Sequence, residues 1–108
     1  MSAIPPTETL YVLGEIGAER MAQDARFGEQ NHADGTGSAS DRWAANNARI
    51  ECDLATEAAE LTWKHILREE VAEALAESDA MRLRTELVQV AAVAAAWVES
   101  IDRRRGKR

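Results

Sequence analysis

The sequence predicts an all-α protein, a four-helix bundle-like protomer in which residues 1–108 make a single domain. Three observations lead there. Apolar residues recur at three- and four-residue steps along four segments, the spacing of a helix face, and no segment makes a convincing strand. One stretch alone, "FGEQNHADGTGSAS" from Phe27 to Ser40, is dense in Gly, Ser, Asn and Asp and reads as a loop. At 108 residues the chain can bury one modest core but hardly two.

Taken in order, a tail over residues 1–6 ends at Pro5-Pro6, which stops anything helical before it. The first helix then runs from Thr7 or Glu8 to Arg26, with Leu10, Leu13, Ile16, Gly17 and Met21 on one side. Gly14 and Gly17 would admit close helix packing. After the loop, Ser40 or Asp41 suits the N-cap of a second helix, in which Trp43, Asn47, Ile50, Leu54 and Leu61 recur at three- and four-residue steps. Thr62 suits the N-cap of a third. Whether the second and third are separate or one kinked rod stays open. Ser78 or Asp79 opens the last helix, which continues to about Arg103 and leaves a basic tail over 104–108.

Charge and composition exclude several classes. Hydrophobic residues at 45% and charged residues at 30% fit a globular chain rather than a disordered one. A net charge of −6 disfavours a nucleic-acid partner. The terminal "DRRRGKR" then reads as a solvated helix end, with a phosphate- or RNA-touching arm as the alternative. Cys52 is the only cysteine, so neither an intrachain disulfide nor a thiolate zinc cluster can form, and it is most simply a small buried hydrophobe. The N-terminus lacks the basic and apolar regions of a secretory signal. The most apolar run, "LVQVAAVAAAWV", is about half the length that spans a bilayer. No membrane partner and a cytoplasmic location are expected.

Two features break the pattern of ordinary amphipathic helices. From Leu87 to Val98 the only polar side chain is Gln89, so the last helix keeps no solvated face and needs cover all round. A partner subunit, giving a homodimer or homotetramer, is the expected cover. The second feature lies in "LTWKHILREEVAEALAESD". Projected at about 100° per residue, Trp63, Ile66, Leu67, Val71 and Ala74 form an apolar stripe. Glu70 falls inside that stripe, with Glu73 and Glu77 on its margin. On the last helix Glu86 shares a side with Leu83, Val90, Val93 and Trp97, and Gln89 follows one turn later. Close buried carboxylates repel and raise one another's pKa. A divalent cation resolves that conflict, because i,i+3 oxygen donors on facing helices can enclose Mg²⁺. Arg68, Arg82 or Arg84 would be the competing solution, neutralising the acids by ion pairs. Neither His65 nor His32 supplies the Glu-x-x-His pairs that a diiron bundle requires.

"EEVAE" (Glu69 to Glu73), followed twelve residues on by "ELVQ" (Glu86 to Gln89), resembles the all-α NTP pyrophosphatase superfamily in its MazG-like branch. The longer runs "ERMAQDARFGEQNH" and "LTWKHILREEVAEAL…LRTELVQVAAVAAAWVESID" are similar to small MazG-like proteins of actinobacteria and their phages. The family pattern is EExxE, a spacer, then ExxD. The resemblance implies Glu70, Glu73 and Glu86 as ligands of Mg²⁺, with Mn²⁺ as the alternative ion, and a fourth position held by Gln89 instead of Asp. It implies cleavage of a nucleoside triphosphate to the monophosphate and pyrophosphate, with Glu69 or Glu73 as general base. Candidate substrate contacts are Lys64, Arg68 and Arg82 for phosphates, Trp63 for stacking on a base, and Gln30 and His32 for base or sugar. Two other functions stay open. One is a helical protein that binds a nucleotide or signal molecule without cleaving it. The other is a structural assembly protein whose buried acids are paired.

Overall fold

The computed structural model describes residues 3–106. They form four helices, α1 (Thr7–Phe27), α2 (Ala39–Glu57), α3 (Trp63–Leu75) and α4 (Ala80–Arg104), and no strand among the described residues. No described helix is long and apolar enough to cross a membrane. Met1, Ser2, Lys107 and Arg108, which close the two expected tails, lie outside the described residues.

Local chemistry sets each boundary. Pro6 opens α1 with extended backbone, and Glu8 and Arg26 complement the helix dipole at its two ends. The cap of α2 is Ser38, not Ser40 or Asp41. Asp41 N–H donates to Ser38 Oγ at 3.0 Å while Ser38 N–H donates to Asp41 Oδ2 at 3.1 Å, a reciprocal capping box. Hydrogen bonds from Ser38 also hold the Asp41 carboxyl below its ordinary pKa. All three residues are good caps by type; only Ser38 has an acid three positions ahead of it.

Thr62 caps α3 as expected, and its box partner is the imidazole of His65: Thr62 N–H donates to Nδ1 at 3.1 Å. Helices α2 and α3 are therefore separate. The break is a C-terminal motif in which Glu60 N–H donates to Ala55 O at 2.8 Å and Ala59 N–H to Thr56 O at 3.1 Å. That motif puts Ala59 at φ 57, where glycine is usual. Asp79 opens α4, its Oδ2 accepting from Arg82 N–H at 3.0 Å.

The chain divides into two units. Asp34–Ala94 contains α2, α3 and the first part of α4, and its buried apolar residues are Ala45, Ala55, Ala74 and Leu83. Here α2 and α3 pack as an antiparallel hairpin. The loop before α2 fastens onto the end of α3: Gly37 N–H donates to Leu75 O at 2.9 Å, and Thr36 Oγ1 donates to Glu77 O at 2.6 Å. In the other unit, Met1–Ala33 with Ala95–Arg108, Val12 and Ala95 are buried. There Thr9 Oγ1 donates to Glu99 Oε1 at 3.0 Å, and Arg103 pairs with Glu8 at 3.4 Å.

The large residues that recur along α2 do not form its buried side: Trp43 is 67% exposed, Leu54 59% and Ile50 55%. Small residues of α2, Ala45 and Ala55, face the hairpin contact instead, because they allow the backbones to approach. Gly14 and Gly17 mark no close approach either, since a Cβ at either position would meet nothing within 4 Å.

Candidate metal centre

Helix α3 presents Glu69, Glu70 and Glu73 over one turn, and α4 presents Glu86. Oxygens from Glu70, Glu73 and Glu86 lie within 4.8 Å of one another, all three side chains being partly buried. Opposite ligands on Mg²⁺ stand about 4.2 Å apart, so small side-chain rotations bring this set to bonding distance. Glu70 Oε2 and Glu86 Oε2 are fully inaccessible and have no hydrogen-bond partner. Such oxygens are costly unless something positive meets them.

The electrostatics agree. Burial pushes the Glu70 carboxyl above its ordinary pKa, and the charges of Glu86 and Glu69 push it further. Burial likewise raises Glu73, reinforced by Glu70, Glu69 and Glu86 and opposed by Arg49. None of the three ion pairs found among the described residues includes a member of the triad. Arg68 pairs with Glu51 at 3.6 Å instead. Ion pairing by Arg68, Arg82 or Arg84 therefore does not discharge the cluster. A hard divalent cation with oxygen preference fits the donor set.

Beside the triad, Glu69 stays outside the ligand cluster and accepts a hydrogen bond from the Cys52 thiol. That bond, burial and the surrounding acids raise the thiol pKa to about 11. Cys52 is thus a half-buried donor that orients a carboxylate, rather than the simple buried hydrophobe expected. It is no nucleophile at neutral pH.

The other sequence candidates are placed elsewhere or face solvent. Gln89, expected as a fourth ligand, is exposed on α4. Arg68 lines a separate apolar groove of about 340 Å³ with Asp41, Leu67 and Val71. Lys64 and Arg82 are exposed, and the Arg82 backbone N–H serves the α4 cap. Trp63 is partly buried at the start of α3. Gln30 and His32 bond to each other at 3.0 Å on an exposed segment of the other unit.

A residue that sequence inspection passed over is Arg49 of α2. It lines a pocket of about 240 Å³ with Ala45, Glu73, Ala76, Glu77 and Glu86. On a helical projection Arg49 stands one turn after Ala45 and one turn before Cys52. Its signal was therefore available only once α2 was known to bury its alanines. Compared with protein-family models, with curated proteins and with solved structures, the chain matches none.

Proposed function

We propose that the protein is a cytoplasmic, Mg²⁺-dependent nucleoside triphosphate pyrophosphohydrolase of MazG-like type, forming NMP and pyrophosphate. One observation carries this reading: Glu70 and Glu86, each with an inaccessible and unpartnered Oε2, cluster with Glu73, and no ion pair among the described residues includes any of the three. Glu70, Glu73 and Glu86 would hold the ion, with Mn²⁺ as a substitute. Bound there, the cation supplies charge compensation for phosphate oxygens and lowers the pKa of an attacking water. Glu69 is the better general base of the two acids considered, since Glu73 belongs to the ligand set. The Cys52 thiol fixes one side of the Glu69 carboxylate and leaves its remaining lone pairs to accept the water proton.

Exposed Gln89 favours a second reading, in which a nucleotide is bound without turnover, because the ligand set then carries three charges rather than four. Titration of the protein with Mg²⁺ and then with canonical and damaged nucleoside triphosphates, combined with pyrophosphate detection, separates the two. Mg²⁺-dependent pyrophosphate release that is lost in Glu70→Gln supports the enzyme. Nucleotide binding with no release supports the binder, and absence of Mg²⁺ binding removes both.

The working form is proposed to be a homo-oligomer. Among the described residues, six make up the buried apolar set, four of them alanines. Meanwhile Trp43, Ile50, Leu54, Leu87 and Val88 are each at least 49% exposed. A second subunit covering these faces supplies the burial that one protomer lacks.

A further inference from the structure

We propose that Arg49 is the phosphate-binding residue of this site, gripping a diphosphate group next to the cation held by Glu70, Glu73 and Glu86. The inference rests on the metal-site reading above. The pocket at Arg49 is walled by Glu73, Glu77 and Glu86, and the guanidinium is the only positive group lining it. A phosphate entering there meets repulsion from every other charged wall. Ala45 and Ala76 complete the lining and leave the space open.

Arg49 is also held available. Its Nη1 donates to the neutral Asn46 Oδ1 at 3.2 Å. It acts on Glu73 through space, lowering that carboxyl's pKa, yet forms none of the ion pairs among the described residues. A guanidinium has five donors in a planar fork. Most of that fork remains for a bidentate contact with phosphate oxygens. With a cation held by Glu73, the fork of Arg49 would be free to face the anion.

Size defines what binds there. About 240 Å³ lies below the roughly 300 Å³ at which pockets for whole drug-sized ligands begin. No aromatic ring or amide lines it to read a base. The pocket therefore takes the diphosphate end of the substrate and, after cleavage, inorganic pyrophosphate.

The test is calorimetric and needs no turnover. Mg²⁺ alone, then pyrophosphate at saturating Mg²⁺, are titrated into the full-length wild type, Arg49→Ala and Arg49→Lys. Expected is a loss of pyrophosphate affinity of about tenfold or more in Arg49→Ala, with Mg²⁺ affinity unchanged or tighter because a repelling charge is gone. Arg49→Lys, which keeps the charge without the fork, falls between. Equal pyrophosphate binding by wild type and Arg49→Ala overturns the role of Arg49 and leaves the metal site standing. A wild type that binds no Mg²⁺ overturns the metal site and this inference with it. If Arg49→Ala fails to fold by circular dichroism, Arg49→Lys decides: wild-type pyrophosphate affinity there overturns the bidentate contact.

Discussion

Glu70 sits where its charge works against the metal-free fold. Its ordinary pKa is 4.5, and both it and Glu73 are raised in the fold. The folded chain then holds these protons more tightly than the unfolded chain does. Their contribution to stability is complete below about pH 4.5 and is lost as pH rises through the raised folded values. In EDTA, thermal melts should therefore show this loss as pH rises above about 4.5. Glu70→Gln should remove much of it, raising the metal-free Tm at pH 7 by a few degrees. The same variant should forfeit stabilisation by Mg²⁺, which for the wild type reaches about 2.7 kcal/mol at a hundredfold excess over Kd. A Glu70→Gln protein that melts lower in EDTA and still gains from Mg²⁺ would contradict the ligand role. Position 89 offers a second test. Gln89→Asp should raise Mg²⁺ affinity severalfold by adding a charge one turn from Glu86. Unchanged affinity would place that residue outside the coordination shell, in keeping with its exposure.

Among the elements, two junctions flank α3, the helix that carries Glu69, Glu70 and Glu73. Ala59 ends α2 with φ 57, a conformation costing an L-residue roughly 1–2 kcal/mol. Ala59→Gly should consequently stabilise the protein by about 0.5–1 kcal/mol in urea denaturation. Gly37 has the opposite demand. Its φ is 89, and a Cβ there would stand 2.7 Å from Ser78 Cβ and 3.0 Å from Ser78 Cα. Gly37→Ala should cost about 2 kcal/mol or more, since both strain and a backbone clash must be relieved. Because Gly37 N–H holds Leu75 O beside the α3–α4 turn, Mg²⁺ affinity should fall together with stability. A loss of stability with unchanged metal affinity would show that the turn does not govern the triad.

For the molecule as a whole, the question is what covers its apolar surface. Ala92 is exposed on α4, whereas Ala95 is only 5% exposed. The two positions therefore separate assembly from folding. Ala92→Glu should split the proposed oligomer while preserving helicity, because the charge enters an exposed face of α4. Ala95→Glu should unfold the chain, because the charge enters an existing core. Light scattering at micromolar concentration with circular dichroism reads both. A monodisperse wild-type monomer of full helicity would remove the oligomer proposal.

Helix number, order and most caps were legible in the sequence by itself, since periodicity, Thr62, Asp79 and the Gly-rich loop are local signals that act within a few residues. The concentration of acids on α3 and α4 was legible for the same reason: i,i+3 and i,i+4 spacing fixes which residues share a helix face. The break at Ala59 was not, because no glycine stands between Gly37 and Gly106 to announce it. Which face of α2 is buried was not legible either. Hydrophobicity ranked Trp43, Ile50 and Leu54 above Ala45 and Ala55, but a close helix pair selects small side chains at its seam. That choice placed Arg49 in a pocket with Glu73 and Glu86. Periodicity tells which residues lie together on one helix; only the docking of one helix on another decides which of those faces meet.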